Sequence, residues 1–220
     1  MPLTFHIQNG LEDNEYLKFL KIFYEKSRLS KKTETEGFKG RKVRNIWIVK
    51  PGEFTNRGNG IRVCLCLDDI KQILKRKERH ENGNFKTYII QSYIDRPFLY
   101  YRRKFDIRHF MMITSINGHM KGYWYEVGYI RTSSYEYTVK NSFTSVHLTN
   151  DAVQKNLPEY GKYEKGNKIS YNEFERYLKR EFNGKYSFYK AIYPQMKKIA
   201  VDSMRAASKL LDPERKTHNF

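Results

Sequence analysis

A lysine at the end of an apolar stretch and a glycine turn after it form the first candidate site. Lys50 follows the β-branched and aromatic residues 46–49, which are typical of a buried strand. In the turn at residues 57–60, glycines would allow backbone N–H groups to approach phosphate oxygens, and the lysine would add a point charge. The patterns G-x-x-x-x-G-K-[ST] and G-x-G-x-x-G are both absent. These residues alone therefore also fit an ordinary hairpin with a solvated lysine.

Alternating charges mark the second candidate. In a strand, Lys104, Asp106 and Arg108 share one face, while Phe105 and Ile107 point to the other. The two cations could bind phosphate or carboxylate, and the carboxylate could hold a ribose hydroxyl, a metal or an amine. A solvated sheet face with paired charges is the alternative interpretation.

Further polar residues follow at 131–132 and 147–150. Taken alone, His147 is more typical of a structural histidine than of a ligand. Residues 100–103 mix tyrosine with arginine, which could form a platform for single-stranded nucleic acid. No RNP, KH or zinc-finger pattern supports that interpretation.

Charge and composition narrow the class of protein. The 220 residues include 42 Lys and Arg against 24 Asp and Glu, a net charge of +18 that attracts polyanions. Aromatic residues make up 15%, which argues against a disordered basic tail. No apolar run is long enough for a transmembrane helix, and no signal-peptide pattern opens the chain, so we expect a soluble intracellular protein. Cys64 and Cys66, on one face of a strand, are expected to be buried free thiols.

The hydrophobic pattern predicts a mixture of helices and strands. We expect strands at 46–49, 61–65, 88–94, 105–116 and 121–130, the last two joined by a hairpin turn at Asn117-Gly118. Helices are expected at 12–26, 68–79, 174–182 and 189–211. Asp68 or Asp69 would cap the second helix, and a mobile basic loop would span 30–44. This order predicts an α/β fold of the mixed α+β kind.

Taken in order, the motifs resemble those of the tubulin–tyrosine ligase-like family, which are amino-acid ligases of the ATP-grasp type. The resemblance covers nearly the whole chain and runs through 45–52, 56–61, 88–97, 103–108, 128–132 and 147–155. It implies an ATP-grasp-like fold in three parts. These are an N-terminal helix and basic loop at 1–45, a central part with the phosphate-covering turn and hinge strand at 46–97, and a truncated C-terminal part at 98–220.

The resemblance also implies ATP and Mg²⁺ as cofactors. The residues expected to bind ATP are Lys50, Arg57, Gly58, Gly60, Ile61, Gln91, Tyr93, Ile94, Lys104, Asp106, Thr149 and Asn150. Lys50 would hold the α- and β-phosphates beneath the turn, residues 91–94 would flank adenine, and Lys104 would reach the terminal phosphate. Lys104, Arg108 and Arg131 are the expected catalytic residues. Asp106, Arg108 and Arg131 are expected to bind the substrate.

The implied reaction is ATP-dependent addition of an amino acid to tubulin through an acyl phosphate. Glutamate is favoured on its abundance in the family, with tyrosine and glycine left open. The implied partners are the acidic C-terminal tail of tubulin and a free amino acid, without membrane or nucleic acid. The implied location is the cytoplasm, the cytoskeleton or the cilium. A non-catalytic relative that binds nucleotide or microtubule tails is the alternative, and an RNA-binding protein is a remote one.

Two departures from the family pattern stand out. Ser92 lies where the family usually has a lysine after the hinge glutamine. The acidic residues that bind Mg²⁺ in the family are expected beyond Phe220, in a final strand segment that this chain lacks, and Asp212 and Glu214 are not expected to replace them. We therefore expect a fragment or an inactive relative, and the activity of the 220-residue chain stays open.

Overall fold

The computed structural model describes residues 2–35, 42–53, 55–76, 78–80, 83–211 and 213. The chain divides into two compact units. The first comprises Met1–Lys104 with Ser133–Tyr160, and the second comprises Phe105–Thr132 with Gly161–Phe220. The division into three parts at residues 45 and 97 stays a prediction.

Helices and strands alternate along the chain, which confirms the predicted mixed α/β class. The helices are α1 (Asn14–Thr35), α2 (Leu67–Lys75), α3 (Thr144–His147), α4 (Asp151–Gln154), α5 (Tyr171–Glu181) and α6 (Tyr193–Leu211). The strands are β1 (Thr4–Ile7), β2 (Trp47–Pro51), β3 (Arg62–Cys64), β4 (Tyr88–Ser92), β5 (Arg103–Arg108), β6 (Met111–Ile116), β7 (His119–Trp124), β8 (Tyr129–Glu136) and β9 (Lys168–Ser170). Two short 3-10 turns, Gly10–Glu12 and Lys165–Asn167, and a π-helical turn, Phe188–Ile192, complete the described elements.

The first unit is built on a four-stranded sheet in the order β1-β4-β2-β3. Each neighbouring pair is antiparallel. One face carries Trp47, Val49 and Ile90, which are buried against apolar residues of α1 and α2. Because side chains alternate along a strand, Lys50 and Gln91 lie on the opposite face. One face of this sheet thus packs into the hydrophobic core, and the other face carries the polar side chains of Lys50 and Gln91.

Aromatic packing anchors α1 on this sheet. Phe19 is fully buried, and its ring meets that of Trp47 edge to face at 4.9 Å between centroids. Phe5 of β1 contacts the same Phe19 ring at 5.7 Å. Such edge-to-face pairs add about 1 kcal/mol each beyond area burial. They fix the strands that carry Lys50 and Gln91.

β5, β8 and β9 form a three-stranded sheet in that order, and β6 and β7 of the second unit form a hairpin. Asn117 and Gly118 turn this hairpin with φ angles of 48° and 77°, which confirms the predicted turn. Helix α5 begins with a capping box between Ser170 and Glu173. Phe174 of α5 is fully buried.

Several predicted boundaries are wrong. Helix α1 continues to Thr35, where a mobile loop was expected from residue 30. Lysine, arginine and glutamate are good helix formers, so an exposed polar stretch extends a helix that its first half has anchored. The rest of the expected loop is only partly described, since residues 36–41 lie outside the described part.

The expected strands 105–116 and 121–130 are each interrupted. The first divides into β5 and β6, which belong to different sheets, and the second ends at Trp124 before β8 begins at Tyr129. His109, at the first break, stacks on Trp124 at 3.4 Å between ring centroids. This stacking replaces strand pairing at His109, a tertiary contact that no local pattern reveals.

The predictions for α2 and the cysteines also need correction. Cys66, not an aspartate, occupies the N-cap position and makes no side-chain cap bond. Asp68 and Asp69 lie in the first turn, where their negative charges stabilise the helix by interacting with the positive end of its dipole. Cys64 is buried as expected, and burial raises the pKa of its thiol to about 12. Cys66 is exposed because the strand ends before it.

Helix α6 confirms the predicted C-terminal helix but buries none of its residues, although an apolar side was expected from Ile192, Met196, Ile199, Met204 and Leu210. Ile199 is 64% and Leu210 is 84% exposed. The helix begins beside Trp124, whose indole donates to the Tyr193 hydroxyl at 2.8 Å. Within the described residues, no helix combines the length and the apolar character needed to cross a membrane.

Candidate functional site

The polar face of the first sheet brings Lys50 and Gln91 together. Lys50 Nζ donates a hydrogen bond to Gln91 Oε1 at 2.8 Å. Gln91 Nε2 in turn donates to the Thr4 hydroxyl at 2.8 Å. The register of β2 on β4 places the two residues on neighbouring strands, so the backbone itself sets this contact. The ammonium is thus oriented by a neutral amide, which leaves its positive charge uncompensated.

The glycine turn adopts conformations that glycine favours. Gly58 and Gly60 have φ angles of 86° and 73°, and Arg57 has a φ angle of 58°. A Cβ on Gly58 would lie 3.2 Å from Asn150 Cγ, and one on Gly60 would lie 2.7 Å from Pro51 Cγ. The turn therefore lies close to Asn150 at Gly58 and close to Pro51 at Gly60. A side chain larger than that of glycine would collide with a neighbour at either position.

The start of this turn is anchored by contacts that sequence reasoning missed. The carboxylate of Glu53 accepts hydrogen bonds from the hydroxyl of Thr87 and, at 3.1 Å, from its backbone N–H. His80 Nε2 lies 2.7 Å from the same carboxylate. The bond from the Thr87 hydroxyl is the main cause that lowers the pKa of Glu53. Glu53 follows Lys50 by three residues, but its partners lie about thirty residues away and leave no local signal.

Beyond β4, Tyr93 joins Lys104 to His147. Lys104 Nζ donates to the Tyr93 hydroxyl at 3.0 Å, and this hydroxyl lies 2.7 Å from His147 Nδ1. Burial lowers the pKa of Lys104 to about 8 and also lowers the pKa of His147. Burial raises the pKa of Tyr93, so its hydroxyl keeps its proton. His147 is buried and both of its ring nitrogens are bonded, as expected of a structural histidine, and one of its partners is Tyr93.

The remaining candidates of the first unit lie at its edges. Ile94 is 60% exposed just after β4, and Ile61 is half-buried just before β3. Thr149 is half-buried between α3 and α4, and Asn150 occupies the N-cap position of α4 without a side-chain cap bond. The side chain of Asn150 therefore lies beside Gly58 and makes no hydrogen bond that caps the helix.

The second unit brings Asp106, Arg108 and Arg131 together. Arg131 donates to both carboxylate oxygens of Asp106, from Nε at 2.9 Å and from Nη2 at 2.5 Å. Arg108 Nε lies 3.1 Å from Oδ2 of the same carboxylate as an ion pair. Burial raises the pKa of Asp106 to about 6, and Arg108 acts in the opposite direction. A carboxylate already occupies the guanidinium fork expected to hold a substrate carboxylate, so this arrangement pre-orients both arginines.

The acidic side chains of the described residues bear on the expected Mg²⁺ site. In this part of the chain, no group of three or more His, Cys, Asp or Glu side chains is placed to hold a metal ion. Asp212 and Glu214 lie outside the described residues. We therefore assign no Mg²⁺ ligand and derive no step through the metal.

Comparison with known proteins agrees with the order of these motifs. Tubulin glycylase 3B of Drosophila melanogaster is 40% identical over 140 residues, which is 62% of this chain and 18% of that protein. Tubulin monoglycylase TTLL3 of Homo sapiens is 40% identical over 119 residues, 52% of this chain and 14% of that protein. Protein monoglycylase TTLL8 of Homo sapiens is 31% identical over 178 residues, 79% of this chain and 20% of that protein.

The chain spans a fifth or less of the length of these relatives. A model of the Tubulin-tyrosine ligase family matches residues 4–220. Since this match runs through every motif on which the resemblance was based, the protein belongs to the tubulin-tyrosine ligase family.

Proposed function

We propose that this chain is the nucleotide-binding part of an ATP-dependent ligase that adds glycine to tubulin. The observation that carries the proposal is the family match over residues 4–220. Glycine replaces glutamate, which sequence analysis favoured, because the similar relatives are named glycylases. The net charge of +18 supports an acidic protein substrate, and tubulin as that substrate would place the protein at the cytoskeleton.

The first unit has groups that fit a triphosphate. Lys50 and Lys104 are bonded to an amide and a phenol, so neither charge is neutralised by a carboxylate among the described residues. Gly58 and Gly60 leave the backbone of the turn open to phosphate oxygens. When bound, ATP supplies the phosphoryl group that activates a carboxylate for attack by an amine. The lysines would hold and orient that phosphate chain.

The second unit has groups that fit an anionic acceptor. Arg131 is the better ordered of the two arginines, because its side chain is 12% exposed and bonded at two atoms to Asp106. Arg108 is more exposed and pairs with Asp106 through Nε. We infer that the guanidinium N–H groups that are not bonded to Asp106 orient the carboxylate of the protein substrate.

The test is transfer of labelled amino acids to tubulin, with Mg²⁺ and ATP, by the purified gene product that contains this chain. We expect glycine to be incorporated, and glutamate and tyrosine not. The variants K104M and R131Q should lose incorporation, while Y160F, at a tyrosine outside the candidate residues, should retain it.

The other outcomes distinguish the alternatives. Incorporation of glutamate would overturn the choice of glycine and keep the ligase. Binding of ATP and of an acidic tail peptide without any incorporation would favour the non-catalytic relative. Tighter binding to RNA than to the tail peptide at physiological salt would contradict both interpretations.

A further inference from the structure

We propose that His147 is a positioning residue, which acts through Tyr93 to hold the ammonium group of Lys104 and to tie the segment bearing Asn150 to the end of β4. The proposal rests on the proposed function, because it concerns the same nucleotide site. All four residues belong to the first unit.

The direction of each hydrogen bond follows from the donors and acceptors available. His147 Nε2 lies 2.7 Å from the carbonyl oxygen of Asn141, which can only accept, so Nε2 carries the hydrogen. In a neutral imidazole, Nδ1 must then accept, and the Tyr93 hydroxyl donates to it at 2.7 Å. The lone pairs of that hydroxyl are left to accept from Lys104 Nζ at 3.0 Å. These hydrogen bonds therefore run from Lys104 through Tyr93 to His147. The Tyr93 hydroxyl also interacts with the hydroxyl of Tyr137.

Lys104 depends on this chain because of its surroundings. Its ammonium is largely desolvated, and among the described residues the Tyr93 hydroxyl is its hydrogen-bond acceptor. The nitrogen also lies 4.9 Å and 5.6 Å from the ring centroids of Tyr93 and Tyr137. Tyr137 is itself held by a bond from its hydroxyl to the carbonyl of Asp95 at 2.9 Å. A flexible lysine is thus confined to one position by two anchored phenols.

His147 also connects this lysine to the glycine turn. It is the last residue of α3 and precedes Asn150 by three positions. Asn150 is the residue that Gly58 approaches so closely that a Cβ there would lie 3.2 Å from its side chain. The imidazole ring contacts Tyr93 and Tyr137 edge to face, with centroids 5.3 Å and 5.8 Å apart. The buried imidazole therefore contacts the tyrosine that holds Lys104, and it lies in the segment that brings Asn150 to the glycine turn.

The experiment measures how reactive Lys104 is in the absence of any substrate. Trace acetylation with acetic anhydride near neutral pH, followed by peptide mass spectrometry, reports the free-amine fraction and accessibility of each lysine relative to exposed lysines. Y93F removes the acceptor and H147L removes the group that orients it. Because a hydrogen bond to the charged form favours that form, we expect both variants to raise Lys104 labelling several-fold.

Two further variants distinguish positioning from loss of packing. H147Q can accept from Tyr93 and donate to Asn141 through its amide, whose two polar atoms are spaced like the ring nitrogens, so labelling should return to the native rate. The double variant Y93F/H147L should label Lys104 no faster than Y93F alone, since the hydrogen bonds connect His147 to Lys104 through that hydroxyl. Y160F, a matched loss of a tyrosine hydroxyl in the same unit, should leave Lys104 unchanged.

Unchanged Lys104 labelling in H147L, additive effects in the double variant, or no rescue by H147Q would each overturn the proposal. Where H147L lowers the melting temperature, H147Q and Y93F still decide the matter. In ligase assays, Y93F and H147L should raise the KM for ATP and leave the KM for glycine unchanged. Absence of ligase activity would contradict the proposed function only, because the labelling result needs no substrate.

Discussion

The proposed contact between Lys104 and the phosphate chain predicts that nucleotide binding depends on pH. Burial lowers the pKa of this ammonium from its ordinary value of 10.5 to about 8, so it loses its proton within an accessible range. A bound phosphate would stabilise the charged form of Lys104, whereas burial in the unliganded fold destabilises that form. Raising the pH should therefore weaken ATP binding.

The magnitude follows from the charged fraction. With a pKa of about 8, the ammonium is charged in about nine of ten molecules near pH 7 and in about one of ten near pH 9. If only the charged form binds, the apparent Kd for ATP rises about tenfold over this interval. The unfolded chain keeps its proton in the same interval, so Lys104 makes the free energy of unfolding rise with pH.

Calorimetric titration of ATP at several pH values measures the first effect. K104R keeps a permanent charge, so its affinity should not change with pH, and K104M should bind weakly at every pH. Urea unfolding of the native chain and of K104M measures the second effect as a difference between the two. An affinity that stays constant in the native chain, or a loss that persists in K104R, would refute the reasoning.

Four other substitutions test the packing of the two units. S170A removes the capping box of α5 and should lower the free energy of unfolding by about 1 kcal/mol in urea without changing ATP affinity. G60A combines a positive φ with a Cβ clash and should weaken ATP binding, while G83A, with a similar φ and open space, should cost only ~1–2 kcal/mol of stability. D106N leaves the mostly buried Arg131 without its ionic partner, and we expect a loss of about 2 kcal/mol in urea unfolding, reduced by partial exposure. A loss of less than about 0.5 kcal/mol would mean that the pair is screened by solvent.

Elements with strong local signals were predictable from the sequence. The apolar run before Lys50 and the Asn117-Gly118 turn each specify their own backbone conformation, and both are confirmed. The polar half of α1 was missed because it buries little, so no apolar periodicity marks it. The break at His109 was missed because it depends on stacking against Trp124, which is fifteen residues away.

The candidate site shows the same limit. Residue type and the family resemblance singled out Lys50, Lys104 and Asp106, whose roles stay predictions, but the partners of these residues depend on tertiary structure. His147 lies fifty-four residues from Tyr93, and nothing in either segment predicts that the two side chains share a hydrogen bond. A contact between distant segments of this kind becomes visible only in the folded chain.

The net charge of +18 does not distinguish cations that are paired with a carboxylate from cations that are not. The contacts of the individual side chains make this distinction. Within the described residues, Lys50 and Lys104 are oriented by neutral groups, so both charges stay available to an anion. Arg131 is instead bound at two atoms by Asp106, which spends much of its attraction on an internal carboxylate. A flexible point charge suits a phosphate chain, while a held planar fork suits recognition of a single carboxylate geometry. The cations of the two units are thus held differently, which fits the proposed binding of ATP by the first unit and of a carboxylate by the second.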